Sequence, residues 1–465
     1  MNQLQENDFE PNPEVSFKEA ILFWLKLGFI SFGGPAGQIS VMHQELVEQK
    51  KWISEKRFMH ALNYCMLLPG PEAQQLATYI GWLMHKTKGG IIAGLFFILP
   101  SLFILIGLSW VYAKFGNVPV IAGLFYGIKP AVTAIVFHAT YRIGSKSLKN
   151  KYMYAIACAA FILIFAFNVT FPLIVLLAAL SGYLLSKFDP KLFTSNVHAS
   201  SLKDYGKAII DDDTPTPEHA IFKWSRLIKL LVVAIILWCL PIALLTVAYG
   251  WSHAYTQMAW FFTKAALMTF GGAYAVLPYV YQGAVNFYEW LKPTQMIDGL
   301  ALGESTPGPL IMVVAFVGFM GGYNLDLLGP EHKFLAGAFG ATIVTWFTFL
   351  FSFVFILGGA PVIESTHNQI KFTAPLTAIT AAVVGVILNL ALFFAYHVLW
   401  PKGFEGQFDY IAAVITILAC IALFKFNQSV LRVIGAAAIL GLIIKLSLCT
   451  RQISQNPYPI RILLS

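Results

Sequence analysis

The sequence has 465 residues, of which 58% are hydrophobic and only 12% are charged, and its mean hydropathy is +0.69. Soluble domains carry roughly 25% charged residues, so this composition excludes a soluble globular protein and predicts an all-α integral membrane protein. The formal net charge is +8, but the basic residues lie in short loops between apolar runs. This distribution indicates membrane topology and argues against a nucleic-acid partner.

A polar, acidic tail opens the chain, and thirteen apolar segments follow it. Residues 1–16 lack the basic n-region of a signal peptide, and we expect them to form a cytoplasmic tail. Most of the apolar segments reach the roughly 20 residues that a helix needs to cross a hydrocarbon core of about 30 Å. Their approximate spans are 17–42, 58–83, 90–113, 118–141, 152–168, 170–187, 227–250, 258–283, 294–322, 333–358, 372–399, 408–425 and 430–449.

Four of these segments are interrupted by glycine and proline. The interruptions are Gly33-Gly34-Pro35, Pro69-Gly70-Pro71, Gly271-Gly272 and Pro307-Gly308-Pro309. Proline breaks a helix interior but is tolerated at the first position of a new helix. Each interruption therefore predicts a helix end and a fresh helix start, whose free amides suit an anion. The alternative for each is a kink that only allows close helix packing.

The longest polar stretch, 188–226, divides the chain. It contains three consecutive acidic residues followed by Thr-Pro-Thr-Pro, which is typical of an extended, solvated linker. The predicted organisation is a first transporter repeat at 17–187, the linker, a connecting transmembrane helix at 227–250, a second repeat at 251–449 and a tail at 450–465.

The two halves are related by an internal duplication. A constant shift of 238 residues aligns the two Phe-Gly-Gly motifs, the two Pro-Gly-Pro motifs, Lys26 with Lys264, and Trp52 with Trp290. The thirteen apolar segments divide into six, one and six. If the single segment spans the membrane and each half crosses it an even number of times, the two halves are inverted repeats. Inverted repeats with broken helices are typical of secondary transporters, whose substrate sites lie where the half-helices meet.

Lysine and arginine are most frequent in the 188–226 linker, which places the linker in the cytoplasm. The loop at 43–57 holds four basic residues, although simple alternation of spans would place it outside. Re-entrant hairpins at the interrupted segments would return this loop to the cytoplasm. We favour these hairpins, and spanning segments remain the alternative that the sequence leaves open.

Several polar residues near the breaks are candidates for the site. Lys26 and Lys264 each lie two helical turns before a Gly-Gly pair, where they either supply positive potential or extend to the membrane surface. Glu72 and Glu304 flank the Pro-Gly-Pro motifs, and each is a candidate proton carrier, although Glu72 could simply stabilise a helix start. Neutral donors near the same breaks are Gln74, Gln75, Ser305 and Thr306. His138 and Arg142 are interpreted as an anchor at the membrane interface.

No motif for a cofactor is present. The five cysteines are scattered, no CxxC or HExxH motif occurs, and the histidines lack ligand spacing. The sequence therefore indicates neither a metal site nor another cofactor, and it indicates no enzyme.

At the interrupted segments the sequence resembles the chromate ion transporter family in its long, two-domain bacterial form. The matching stretches are "FGGPAGQISVMHQELVEQKKWISEKRF", "LLPGPEAQQLATYIGW", "TFGGAYAVLPYV" and "GESTPGPLIMVVAFVGF". The resemblance implies export of chromate across the bacterial inner membrane, resistance to chromate, and a drive that could come from the proton gradient. It implies functional positions at Gly33, Gly34, Pro35, Pro69, Gly70, Pro71, Gly271, Gly272, Pro307, Gly308 and Pro309.

Several alternatives stay open. Sulfate has the same shape and charge as chromate, so the sequence does not separate a chromate transporter from a transporter or channel for sulfate or another anion. A membrane-embedded chromate reductase is disfavoured because cofactor motifs are absent. Transport direction, the coupling ion and a homodimer are also left open.

Overall fold

In the computed structural model the described residues are 15–188, 205–211, 214, 217–270, 272–365 and 373–455. Within these ranges the secondary structure is helical, apart from one isolated bridge between Ile53 and Ile210, and this confirms the predicted fold class. The α-helices are α1 (Phe17–Ile30), α2 (Gly34–His43), α3 (Glu55–Cys65), α4 (Glu72–Phe115), α5 (Pro119–Ser147), α6 (Lys151–Phe167), α7 (Phe171–Phe188), α8 (Trp224–Tyr249), α9 (Ala254–Leu267), α10 (Ala273–Tyr281), α11 (Pro293–Ser305), α12 (Val313–Asn324), α13 (Lys333–Ser365), α14 (Thr373–Leu399), α15 (Tyr410–Phe424) and α16 (Val430–Gln455).

The four interrupted segments each form two helices separated by a break. In the first repeat, α1 has 14 residues and α3 has 11, so they extend about 21 Å and about 16 Å and are too short to cross a 30 Å core. Ser16 and Ser54 start them by accepting hydrogen bonds from backbone amides in the first turn. The equivalent helices of the second repeat, α9 and α11, are similarly short, with 14 and 13 residues.

The loop between α2 and α3 packs against the linker that joins the repeats. The amides of Ile209 and Ile210 donate to the carbonyls of Lys51 and Trp52 at 2.9 and 3.0 Å. We call this side of the molecule the linker face. The beginning of α1 lies there too, because His85 Nε2 donates to the carbonyl of Val15 at 2.9 Å.

The first half of α4 also returns to the linker face. His219 Nε2 donates to the carbonyl of Trp82 at 3.0 Å, and the helix then kinks at His85 and Lys86, whose backbone is not helical. Both interrupted segments of the first repeat therefore enter and leave at one face. This geometry is that of a re-entrant hairpin, and it removes the conflict posed by the basic loop at 43–57.

The second repeat has the opposite orientation. After its kink α4 continues to Phe115, and Trp110 near its end contacts the ring of Phe334 at the start of α13. α13 runs back to the linker face, where Glu364 pairs with Arg57. We call the side opposite the linker face the far face. Tyr255 at the start of α9 donates to the carbonyl of Ala336 near the start of α13, and Asn324 at the end of α12 donates to the carbonyl of Trp290 just before α11. The loops that flank α9 and α11 therefore lie on the far face, as inverted repeats require.

Two helices of each repeat pack against one long helix of the other repeat. α5 packs on α15 and α16, while α14 packs on α6 and α7. Glycine allows these close approaches: a Cβ added to Gly127 would lie 1.9 Å from the carbonyl oxygen of Ala437, and one added to Gly385 would lie 2.0 Å from that of Ala157. Small residues at helix contacts are the usual means of tight packing in membranes.

Among the described residues, seven helices are long and apolar enough to cross a membrane: α4, α5, α7, α8, α13, α14 and α16. The shorter helices α6 and α15 are also apolar. Of these, α8 stands apart, because Leu245 is its single buried residue.

Candidate functional site

The breaks of the two repeats are hydrogen-bonded to each other. The amide of Gly70 donates to the carbonyl of Thr269, and the amide of Gly308 donates to the carbonyl of Ser31, both at 2.8 Å. Gly308 is the repeat equivalent of Gly70, and Thr269 is the equivalent of Ser31, so one contact is the symmetry mate of the other. Each Pro-Gly-Pro motif thus touches the backbone just before the Phe-Gly-Gly motif of the other repeat.

Both central glycines have a backbone conformation that suits glycine alone. Gly70 has a φ of +130° and Gly308 a φ of +92°, a region that side chains disfavour. A Cβ at Gly70 would lie 2.6 Å from Ser352 Oγ on α13, and one at Gly308 would lie 2.9 Å from the Cβ of Ser101 on α4. We call α4 and α13 the two long central helices. A serine of each of them therefore lies against the central glycine of one Pro-Gly-Pro motif.

Three helices start at the breaks without a side-chain cap. Gly33 precedes α2, Pro71 precedes α4 and Gly272 precedes α10, and none of these residues caps the helix that follows. The amides of a first helical turn lack partners within the helix and carry partial positive charge. The breaks therefore place several uncapped helix starts close to one another.

Two carboxylates lie at these starts. Glu72 is the first residue of α4, and its Oε1 would lie 3.6 Å from a Cβ added to Gly272. Glu304, which is 4% exposed, accepts a hydrogen bond from the hydroxyl of Tyr274 in the first turn of α10. The site thus has a glutamate beside the break of each Pro-Gly-Pro motif, as the sequence predicts.

Arg142 on α5 is near enough to both glutamates, Glu72 and Glu304, to interact with them electrostatically. Lys146, one turn further along the same helix, interacts with Glu72. The sequence favoured an interface anchor at Arg142, and this electrostatic interaction makes Arg142 a further candidate for the site. Arg142 and Lys146 are four positions apart and therefore lie on one helix face, but this spacing at the end of an apolar segment is equally typical of an interface anchor.

Buried amides and hydroxyls fill the space around the breaks. Gln38 Nε2 donates to the carbonyl of Gly308, and Gln75 Nε2 donates to the carbonyl of Pro69 at 2.8 Å. Ser31 Oγ and Ser101 Oγ, which are both buried, have no hydrogen-bond partner among the described residues. Because buried polar atoms are nearly always paired, these two hydroxyls are available to a ligand at the breaks.

The remaining predicted donors form hydrogen bonds to residues three or four positions away in the chain. Ser305 and Thr306 donate to the carbonyls of Leu302 and Gly303, both at 3.0 Å, and so terminate α11. Gln74 donates to Thr78 Oγ1 one turn along α4 at 3.0 Å. Pro35 lies in the first turn of α2, Pro307 and Pro309 are buried around Gly308, and Gly271 lies outside the described residues.

The two predicted lysines contact neighbours within their own repeats. Lys26, whose side chain is 58% exposed, forms an ion pair with Glu45 at 2.9 Å. Lys264 is half-buried, and its Nζ lies 5.8 Å from the ring centre of Trp260. Neither contact joins one lysine to the other.

A polar contact lies between the breaks and each face. Towards the linker face, Glu364 at the end of α13 pairs with Arg57 at 3.3 Å and accepts from Tyr79. Towards the far face, Asp298 on α11 accepts from Tyr112 on α4 at 2.7 Å and pairs with Lys129 at 3.2 Å. The first contact joins α13 to α3 and the second joins α4 to α11, so each connects a long helix of one repeat to a short helix of the other.

Comparison with known proteins identifies the family. The family described as "Chromate transporter" matches residues 18–183 and 256–442. A chromate transport protein of Pseudomonas aeruginosa is 32% identical over 438 residues, which is 92% of each chain. A chromate transport protein of Cupriavidus metallidurans is 27% identical over 93% of this chain and 94% of its own.

A shorter match is an uncharacterised transporter of Bacillus subtilis, YwrB, which is 28% identical over 134 residues, or 29% of this chain and 68% of its own. No solved structure matches the chain. The family match covers more than half of the chain, and it confirms the resemblance carried by the Phe-Gly-Gly and Pro-Gly-Pro motifs. The chain therefore belongs to the chromate transporter family.

Proposed function

We propose that this protein is a secondary transporter that exports chromate across the bacterial inner membrane, with the linker face in the cytoplasm, and that proton movement is coupled to the export. The observation that carries the proposal is the reciprocal pair of hydrogen bonds, Gly70 to Thr269 and Gly308 to Ser31. It supports a single site formed by both repeats, as inverted-repeat transporters have. The names of the similar proteins support chromate as the substrate.

The chemistry at the breaks suits a tetrahedral dianion. The uncapped starts of α2, α4 and α10 offer backbone amides and the positive ends of helix dipoles. Arg142 adds a full positive charge, and the hydroxyls of Ser31 and Ser101 add neutral donors. Electrostatic attraction in a site that excludes much of the water is several times larger than in bulk water, so a few such groups suffice.

Glu304 and Glu72 are the proposed proton carriers. A carboxylate at either position repels the bound dianion and attracts Arg142, whereas a protonated carboxyl leaves Arg142 to the anion. Proton binding would thereby favour anion binding, so one proton would leave the cell together with the dianion. The exported pair carries net negative charge, and the inside-negative membrane potential, not the pH gradient, would drive it outward. The hydrogen bond from Tyr274 holds the carboxyl of Glu304 in place.

The polar contacts at the two faces are the proposed gates. Opening the linker face would break the contact of Glu364 with Arg57, while Asp298 would keep the far face closed. Opening the far face would break the contacts of Asp298, while the contact of Glu364 with Arg57 would keep the linker face closed. The inverted repeats support this exchange, because each gate joins the same kinds of helix in opposite orientation.

The deciding experiment measures uptake of labelled chromate by inverted membrane vesicles with and without an imposed proton gradient. We expect uptake that depends on the gradient and that unlabelled chromate inhibits more strongly than sulfate. Passive uptake at every gradient would indicate a channel. Equal or stronger inhibition by sulfate would indicate that sulfate or another oxyanion is the substrate.

A further inference from the structure

A large groove runs along the outside of the molecule between α8 and the two long central helices. Its volume is about 1980 Å³, well above the roughly 300–1,000 Å³ of pockets for small molecules. One wall is a stripe of α4 from Lys88 to Leu102, another is a stripe of α8, and the third is a stripe of α13. Residues of the linker, including His219, border the end at the linker face.

The interior of this groove is apolar. On α4 its lining residues are Ile91, Leu95, Ile98, Leu99 and Leu102, which recur at helical spacing. On the α13 wall the hydroxyls of Thr342 and Thr345 donate to carbonyls of their own helix at 2.8 Å. Such a lining does not suit a path for an oxyanion, and it suits hydrocarbon chains.

The mouth of the groove at the linker face is strongly basic. Five exposed cations lie among its lining residues, against one acidic residue, Glu218, in the part of the chain that the structure describes; the five are Lys86, Lys88, Lys223, Arg226 and Lys229. Arg226 donates to the carbonyls of Glu218 and His219. None of the four lysines forms an ion pair with a described carboxylate.

The dimensions agree with one leaflet of a bilayer. From Lys88 to Leu102 the α4 wall rises about 21 Å, at about 1.5 Å per residue. Half of a hydrocarbon core of about 30 Å is about 15 Å, which leaves the basic mouth at the depth of the lipid headgroups. Basic pockets between transmembrane helices are a recognised way to hold anionic headgroups.

We propose that this groove binds an anionic phospholipid, with its acyl chains between α4, α8 and α13 and its phosphate at the basic mouth. The lipid fills the gap between α8 and α4 and fixes the linker face around it. This binding site is independent of the breaks and of the proposed transport function.

Native mass spectrometry of the purified full-length protein tests the proposal, with phosphatidylglycerol and phosphatidylcholine titrated separately. We expect phosphatidylglycerol to bind much more tightly than phosphatidylcholine. Replacing Lys88, Lys223 and Lys229 by glutamine is expected to weaken phosphatidylglycerol binding about a hundredfold, because each basic residue near an anionic headgroup contributes roughly fivefold. The matched control replaces three exposed lysines of the same face outside the groove by glutamine: Lys149, Lys151 and Lys187.

A second variant tests the apolar part of the site. Leu95→Trp with Val233→Trp narrows the groove from both sides while every cation remains, and we expect it to abolish tight phosphatidylglycerol binding. Circular dichroism verifies that each variant is folded. The proposal is overturned if the control variant loses as much affinity as the groove variant, if the tryptophan variant still binds, or if glycerophosphoglycerol without acyl chains binds as tightly as the lipid.

Discussion

The amide of Gly308 lies 2.8 Å from the carbonyl oxygen of Ser31, although 277 positions separate the two residues in the chain. The contact is repeated with Gly70 and Thr269 in the other half of the molecule. Backbone at membrane depth that is not helical persists only where protein or a wet cavity satisfies its polar groups. Each repeat therefore satisfies the broken backbone of the other, and neither break is complete alone.

Alanine at either central glycine is expected to slow transport strongly. Gly70→Ala and Gly308→Ala each place a Cβ within 3 Å of a neighbouring side chain, and the left-handed conformation adds about 1–2 kcal/mol of strain. Chromate uptake by inverted vesicles is expected to fall more than tenfold in each variant. Gly107→Ala is the matched control, because a Cβ at Gly107 on α4 would meet no atom within 4 Å, and full loss of uptake in that control would contradict the explanation.

Neutralising Arg142 is expected to weaken substrate affinity. Arg142→Gln removes the positive charge that interacts with Glu72 and Glu304, and we expect the KM for chromate to rise at least tenfold, while Arg142→Lys retains part of the affinity. Lys149→Gln removes an exposed charge of the same repeat and is expected to leave KM unchanged. An unchanged KM in Arg142→Gln would remove Arg142 from the site.

The two predicted lysines are tested by the double substitution of Lys26→Gln with Lys264→Gln. Lys26 is exposed and paired with Glu45, so screening by solvent limits its effect on a distant anion. We expect affinity to fall two- to fivefold, which is less than for Arg142→Gln. Unchanged affinity and rate would exclude a role of these lysines in transport.

Glutamine at Glu304 is expected to separate chromate movement from the proton gradient. Glu304→Gln keeps the shape of the side chain but cannot exchange a proton, so net gradient-driven uptake is expected to fall more than tenfold while exchange of labelled for unlabelled chromate continues. Glu72→Gln tests the second candidate in the same assay. Glu331→Gln, at an exposed position beside α13, is the control, and gradient-driven uptake at the normal rate in both site variants would exclude both carboxyls.

The pH dependence of linker docking is expected to follow His219. Burial lowers the pKa of His219 below its usual 6.5, and the nearby charges of Lys86 and Arg226 lower it further, while its hydrogen bond to Trp82 acts in the opposite direction. A lowered pKa means that the neutral ring contributes stability above about pH 6.5 and that this contribution is lost as the pH falls through the lower, folded-state pKa. Hydrogen exchange in residues 217–220 is expected to accelerate at low pH in the unaltered protein, and His219→Gln should remove most of this change.

Much of the fold and part of the site were predictable from residues alone. The shift of 238 positions paired the glycine motifs correctly, because a duplicated break that lines a shared site retains its backbone conformation. After the Pro-Gly-Pro motifs, structurally equivalent residues of the two repeats are no longer 238 positions apart. Ser101 and Ser352, which lie against equivalent glycines, are 251 positions apart, since the first repeat continues through a kink in α4 where the second has the connection between α12 and α13.

Arg142 could not be assigned from its local sequence. A single arginine near the end of an apolar segment is typical of an interface anchor, and its relation to Glu72 and Glu304 arises only when α5 packs against helices from both halves of the chain. The polar contact of Asp298 with Tyr112 and Lys129 is of the same kind, because the three residues lie on three different helices. Such long-range constellations leave no spacing pattern in one sequence.

Because α8 buries so few of its residues, its main contribution to the fold is to add one membrane crossing between the two repeats. Its single crossing reverses the direction in which the second copy of the repeat enters the membrane, and without that reversal the glycine amides of the two copies would not meet each other's carbonyls. A chain that carried a single repeat would form the same paired breaks only if two molecules inserted in opposite orientations. The distribution of lysine and arginine in its loops would then have to be balanced between the two faces.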